Sequence, residues 1–144
     1  MRQQLMTRLA PEAAGRARHA SSARHLVLRA VTAAAVLLSA GVHLVLYFDG
    51  FSEIPVIGPL FMLNAVGGIV IAAAVLVWRH WLPVLGAVGF GALTLAAFLM
   101  SLTVGLLGVH ETTWNTPEVL AMIGDVVALV GGLVLLVRPR ERRR

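Results

Sequence analysis

The sequence predicts an all-α polytopic membrane protein, a bundle of four transmembrane helices, and three observations predict it. Of 144 residues, 58% are hydrophobic and only 13% are charged. Four apolar stretches each approach or exceed the roughly 20 residues that cross hydrocarbon at about 1.5 Å rise per residue. The charges collect at the two ends and in the short gaps between those stretches, whereas a water-soluble domain is about a quarter charged throughout.

The first span is expected at Ala30–Phe48, the second at Ile57–Trp78, the third at Leu82–Val109 and the fourth at Pro117–Val137. In lipid every backbone N–H and C=O needs a partner within the protein, which long continuous runs supply as helices; a β-barrel would need short alternating segments. Residues 1–29 read as a basic N-terminal arm, rich in Ala, Arg and Ser with Pro11, either disordered or helical on the membrane surface. Residues 30–137 form the transmembrane domain and 138–144 a basic tail. Ser39-Ala40-Gly41 looks like a signal cleavage site, but the preceding arm is long for a signal and the first span is expected to be retained.

Charge placement orients the bundle, because cytoplasmic loops accumulate Arg and Lys. All twelve basic positions are Arg, in the arm (Arg2 to Arg29), in the second gap (Arg79) and in the tail (Arg138 to Arg144). The first and third gaps hold Asp49, Glu53, Glu111 and Glu118, with His110 their one weakly basic residue. Four spans place every Arg on one side, so both termini are expected in the cytoplasm of a cell whose plasma membrane the chain crosses. The net charge of +5 then reports topology and attraction of the Arg-rich ends to anionic lipid headgroups. No nucleic-acid-binding pattern accompanies the Arg residues.

Polar residues inside a membrane are costly unless they face the bundle or water, so they mark candidate function. His43, Asn64, Thr103 and Asp125 supply one such residue per span, at similar depth below the outer surface. Rows of small residues four apart share their faces: Ala35-Ser39-His43, Asn64-Gly68-Ala72, Ala97-Ser101-Gly105 and Gly124-Ala128-Gly132. Such rows let helices approach closely in lipid. Above the layer, Asp49, Glu53, His110 and Glu111 would form an acidic external mouth. Gly41-Val42-His43 recurs as Gly108-Val109-His110, each followed by acidic residues, a Pro and a polar span, as an old duplication of a hairpin would leave it.

The absence of cysteine excludes disulfides and thiolate sites. No HxxxH or ExxH pair lies within a span, so no metal site is expected, and no cofactor. His25 and His80 sit opposite His43 and His110, which does not suit haem. No nucleophile elbow, phosphate loop or zincin motif occurs, so the chain is not expected to be an enzyme.

The stretches Gly41 to Leu44, Gly50 to Asn64, Trp78 to Leu82 and Gly108 to Glu111 resemble small, uncharacterised four-helix integral membrane proteins of actinobacteria. In architecture alone the chain is similar, more distantly, to DoxX-like proteins. The resemblance implies four-span topology and carries no activity. Two functions stay open: an accessory or structural subunit packing with other membrane helices, as a homo-oligomer or within a larger complex, or a binder or transporter of a small ligand, proton or metal ion using the polar layer.

Overall fold

The computed structural model describes residues 2–105 and 115–137, with side chains from His19 onward. Its helices are α1 (Arg2–Phe48), α2 (Ile57–Val77), α3 (Trp81–Thr103) and α4 (Thr116–Val137), with one short 3-10 turn at Phe51–Glu53. Each helix contains a stretch long and apolar enough to cross a membrane; in α1 it is His19–Phe48. The outward faces carry large apolar side chains, with Leu63 67%, Leu93 74% and Val137 82% exposed. Such a surface suits lipid and not water, as befits a multi-pass membrane protein.

Small residues set how the helices pack. A Cβ added to Gly124 of α4 would lie 2.8 Å from the Ala35 carbonyl oxygen of α1, and one on Gly131 would lie 2.5 Å from Thr32 Oγ1. Gly68 of α2 similarly meets Ala40 of α1, Gly91 of α3 meets the Asp125 carbonyl of α4, and Gly132 meets Val88. Close backbone approach of this kind replaces the hydrophobic drive that is missing between helices in lipid. The pairs run in opposite order on each neighbouring helix, so the four helices alternate up and down around a small-residue core that includes Ala33, Val36, Ala72, Val75, Ala87 and Ala128. One end of the bundle carries the α2–α3 turn; the other carries the loop of residues 49–56.

At the turn end, Arg29 is 6% exposed and its guanidinium donates to the carbonyls of Val75 and Trp78, the latter at 2.8 Å. It thereby satisfies carbonyls that the end of α2 leaves open, and its charge complements that helix terminus. Sequence reasoning places Arg29 in the arm; the structure places it inside the bundle, because α1 continues unbroken on both sides of Ala30. Ala30 marks where the helix becomes apolar, not where it begins. His80 Nδ1 caps α3 by accepting from the Leu82 N–H at 3.3 Å.

At the loop end, the Ile57 N–H donates to Pro55 O at 2.9 Å around Val56, whose φ is 70°. This is the strained hand of the γ-turn on a β-branched residue. α3 stops at Thr103, short of the expected Val109, because Gly105 takes a φ of 80° just past the cap residue Val104. A left-handed glycine there ends a helix irrespective of how apolar the following residues are. At the start of α4, Glu118 Oε2 accepts from the Asn115 N–H at 2.7 Å, the carboxylate half of a capping box.

Candidate functional site

α2 and α3 touch each other more sparingly than the other adjacent pairs do, and a cavity of about 620 Å³ lies between them. Two glycines hollow it out. Gly67 on α2 and Gly89 on α3 both border the cavity, and a Cβ on either would meet nothing within 4 Å. A glycine within a helix costs about 1 kcal/mol relative to alanine. At Gly68 and Gly91 that cost permits close packing, whereas at Gly67 and Gly89 it leaves only space.

The walls are apolar, formed in part by Leu60, Leu63, Leu93, Phe98 and Met122. Leu63 and Leu93 line the cavity while remaining largely exposed on the bundle surface, so it opens sideways between α2 and α3. Toward the turn end the two helices converge, where a Cβ on Gly86 would lie 3.6 Å from Ile71. Toward the loop end the cavity is rimmed by aromatics: Phe51 stacks on Phe61 with centroids 4.8 Å apart, and His43 tilts against Phe61 at 5.0 Å.

Of the four residues expected in the polar layer, His43, Asn64 and Asp125 border this one cavity. They sit five, seven and nine residues in from Phe48, Ile57 and Thr116, or roughly 8–13 Å from the loop-end helix termini at 1.5 Å per residue. Thr103 does not join them. It is the last residue of α3, exposed, and its hydroxyl donates to Leu99 O of its own helix at 2.8 Å. The physical reason is the early end of α3, which moves Thr103 from the layer to the rim. Thr94 takes its place, its Oγ1 accepting from Asn64 Nδ2 at 2.9 Å, and buried Ser101, two turns further along α3, also borders the cavity. Reading Gly105 as the helix stop would have found Thr94.

The acidic mouth is arranged differently from expectation. Asp49 and Glu53 are exposed and do not border the cavity, while His110 and Glu111 lie outside the described residues. Among the described residues, Glu118 at the start of α4 is the loop-end carboxyl that borders it.

Several polar atoms in and beside the layer have capacity to spare. Asp125 is 1% exposed, held where Gly124 packs on α1 and Gly91 packs on its own carbonyl. The fully buried Ser39 hydroxyl faces its carboxyl without closing a hydrogen bond. Asp125 Oδ1 and Asn64 Oδ1 have no hydrogen-bond partner. His43 Nδ1 donates to Ser39 O at 2.8 Å, which leaves Nε2 as the acceptor of the neutral ring. Among the described residues no three His, Asp or Glu side chains converge as a metal site requires.

An apolar cavity with a few convergent polar groups is the usual form of a small-molecule site, and the volume falls within the roughly 300–1,000 Å³ of such sites. Polar atoms left unpaired in so dry a place are costly unless a guest pairs them. No family model, no curated protein and no solved structure matches this chain.

Proposed function

We propose that the chain is an intramembrane binding protein for a small amphipathic molecule, which lays its apolar part between α2 and α3 and its polar part against His43, Asn64 and Asp125. The observation that carries this reading is the meeting of three polar residues from three helices in a single apolar cavity. No reaction is assigned to it; the side chains bind and orient. The confinement of Arg to one side of the spans supports residence in the plasma membrane with both termini cytoplasmic. The Arg-rich start of α1 is then placed to contact anionic headgroups.

The accessory-subunit reading has less support. The small-residue rows that could receive another helix are largely taken up within the chain, since Gly68, Gly124 and Gly132 pack on neighbouring helices of the same bundle.

Native mass spectrometry of the chain extracted from its own membrane in mild detergent tests the proposal. The wild type is expected to carry a retained small molecule. Gly89→Phe, which fills the cavity, is expected to lose it, and Gly41→Phe, which points into equally open space away from the cavity, is expected to keep it. A wild-type chain that arrives bare, or a mass that Gly89→Phe leaves unchanged, would sink the reading.

A further inference from the structure

The unused hydrogen-bonding capacity of the cavity specifies the head group of its guest. Asp125 Oδ1 and Asn64 Oδ1 lack partners, and His43 has committed its Nδ1 hydrogen to Ser39 O. Acceptors are therefore left over on three helices, beside the second Nδ2 hydrogen of Asn64 and the hydroxyl hydrogen of Thr94 as donors. Among the described residues, the charged ones bordering the cavity are Glu118 and Asp125, with no Arg in its lining. An anionic head would meet two carboxyls and no cation among the described residues, while a head with N–H or O–H groups brings the hydrogens that the buried Asn64 and Asp125 oxygens lack.

Shape narrows the class further. The cavity opens sideways into the lipid beside Leu63 and Leu93, and the missing side chains of Gly67 and Gly89 leave a groove along both helices. Its volume of about 620 Å³ suits one chain with a compact head and is too small to enclose a two-chain phospholipid. Resting on the binding reading above, we infer that the guest is a single-chain lipid whose head donates hydrogen bonds, an alcohol or an amine and not a carboxylic acid. It is admitted from the bilayer through the gap between α2 and α3. The head seats against Asn64 and Asp125 under the aromatic rim of Phe51 and Phe61, and the chain follows the groove outward.

The test uses the full chain, stripped of endogenous lipid in detergent and offered hexadecanol, hexadecylamine and palmitic acid together at equal concentration, with bound masses counted by native mass spectrometry. Alcohol and amine complexes are expected to exceed the acid complex by about tenfold or more, the ratio that one lost hydrogen bond to a charged or buried group produces. Asp125→Asn is expected to narrow that ratio, and Gly89→Phe to remove all three complexes. Should the Asn variant fail to fold, the wild-type competition alone decides. Acid bound as well as alcohol and amine, yet lost in Gly89→Phe, would overturn the head-group inference and leave the binding reading standing. If the wild type retains none of the three, both fall together.

Discussion

Gly89 and Gly91 are two residues apart on one helix, and their surroundings give them opposite roles. A Cβ on Gly91 would lie 2.5 Å from the Asp125 carbonyl oxygen, against backbone that cannot step aside, whereas a Cβ on Gly89 would meet open space. Gly91→Ala is therefore expected to destabilise the bundle by about 1–3 kcal/mol through overpacking. Gly89→Ala is expected to stabilise it by up to about 1 kcal/mol through helix propensity alone. Reversible unfolding in detergent, followed by circular dichroism, checks the pair; equal effects of the same sign would show that the two glycines do not differ as described. Nothing in the sequence around either residue separates them, because a glycine that admits a backbone and one that leaves open space read alike. The polar residues were easier to read. His43, Asn64 and Asp125 stand out against apolar neighbours and reach one cavity, while Thr94 is masked by a hydroxyl of the kind that helices commonly bury against their own carbonyls.

At the level of elements, the lengths of α2 and α4 follow closely from the apolar runs, since Pro and charged residues bound them on both sides. The two discrepancies share a cause. Apolarity reports where lipid begins and ends, and helix ends are decided locally: Gly105 halts α3 inside an apolar run, and α1 extends through the Arg-rich segment where no break occurs. The looser α2–α3 seam could not be foreseen either, because it depends on which glycines lack a neighbour. Its sideways opening is measurable. The chain has no cysteine, so Gly67→Cys carries a single nitroxide label on the cavity wall. In liposomes that label is expected to collide freely with oxygen, which concentrates in lipid, and weakly with a water-soluble nickel chelate. Dominant quenching by the chelate would mean a water-filled cavity and would contradict admission from the bilayer.

For the whole molecule, alternation of the four helices brings the Arg29 end of α1 and the Val137 end of α4 to the same side. Both termini of the intact chain are accordingly expected to resist protease in whole cells and to be cut in inverted membrane vesicles. A terminus cut from outside would reverse the assigned orientation without altering the bundle. The way that side is fastened has a mechanical consequence. Arg29 rivets the end of α2 to α1 through two carbonyls, and only residues 78–80 separate α2 from α3 there. That end is therefore pinned twice, by the rivet and by the short turn, while the far tip of α2 lies about 30 Å away along its 21 residues. On the binding reading, relieving the strained turn at Val56, which stands at the opposite extreme of the molecule from that rivet, with Val56→Gly is expected to change how quickly a guest exchanges, as retention measured against time would show.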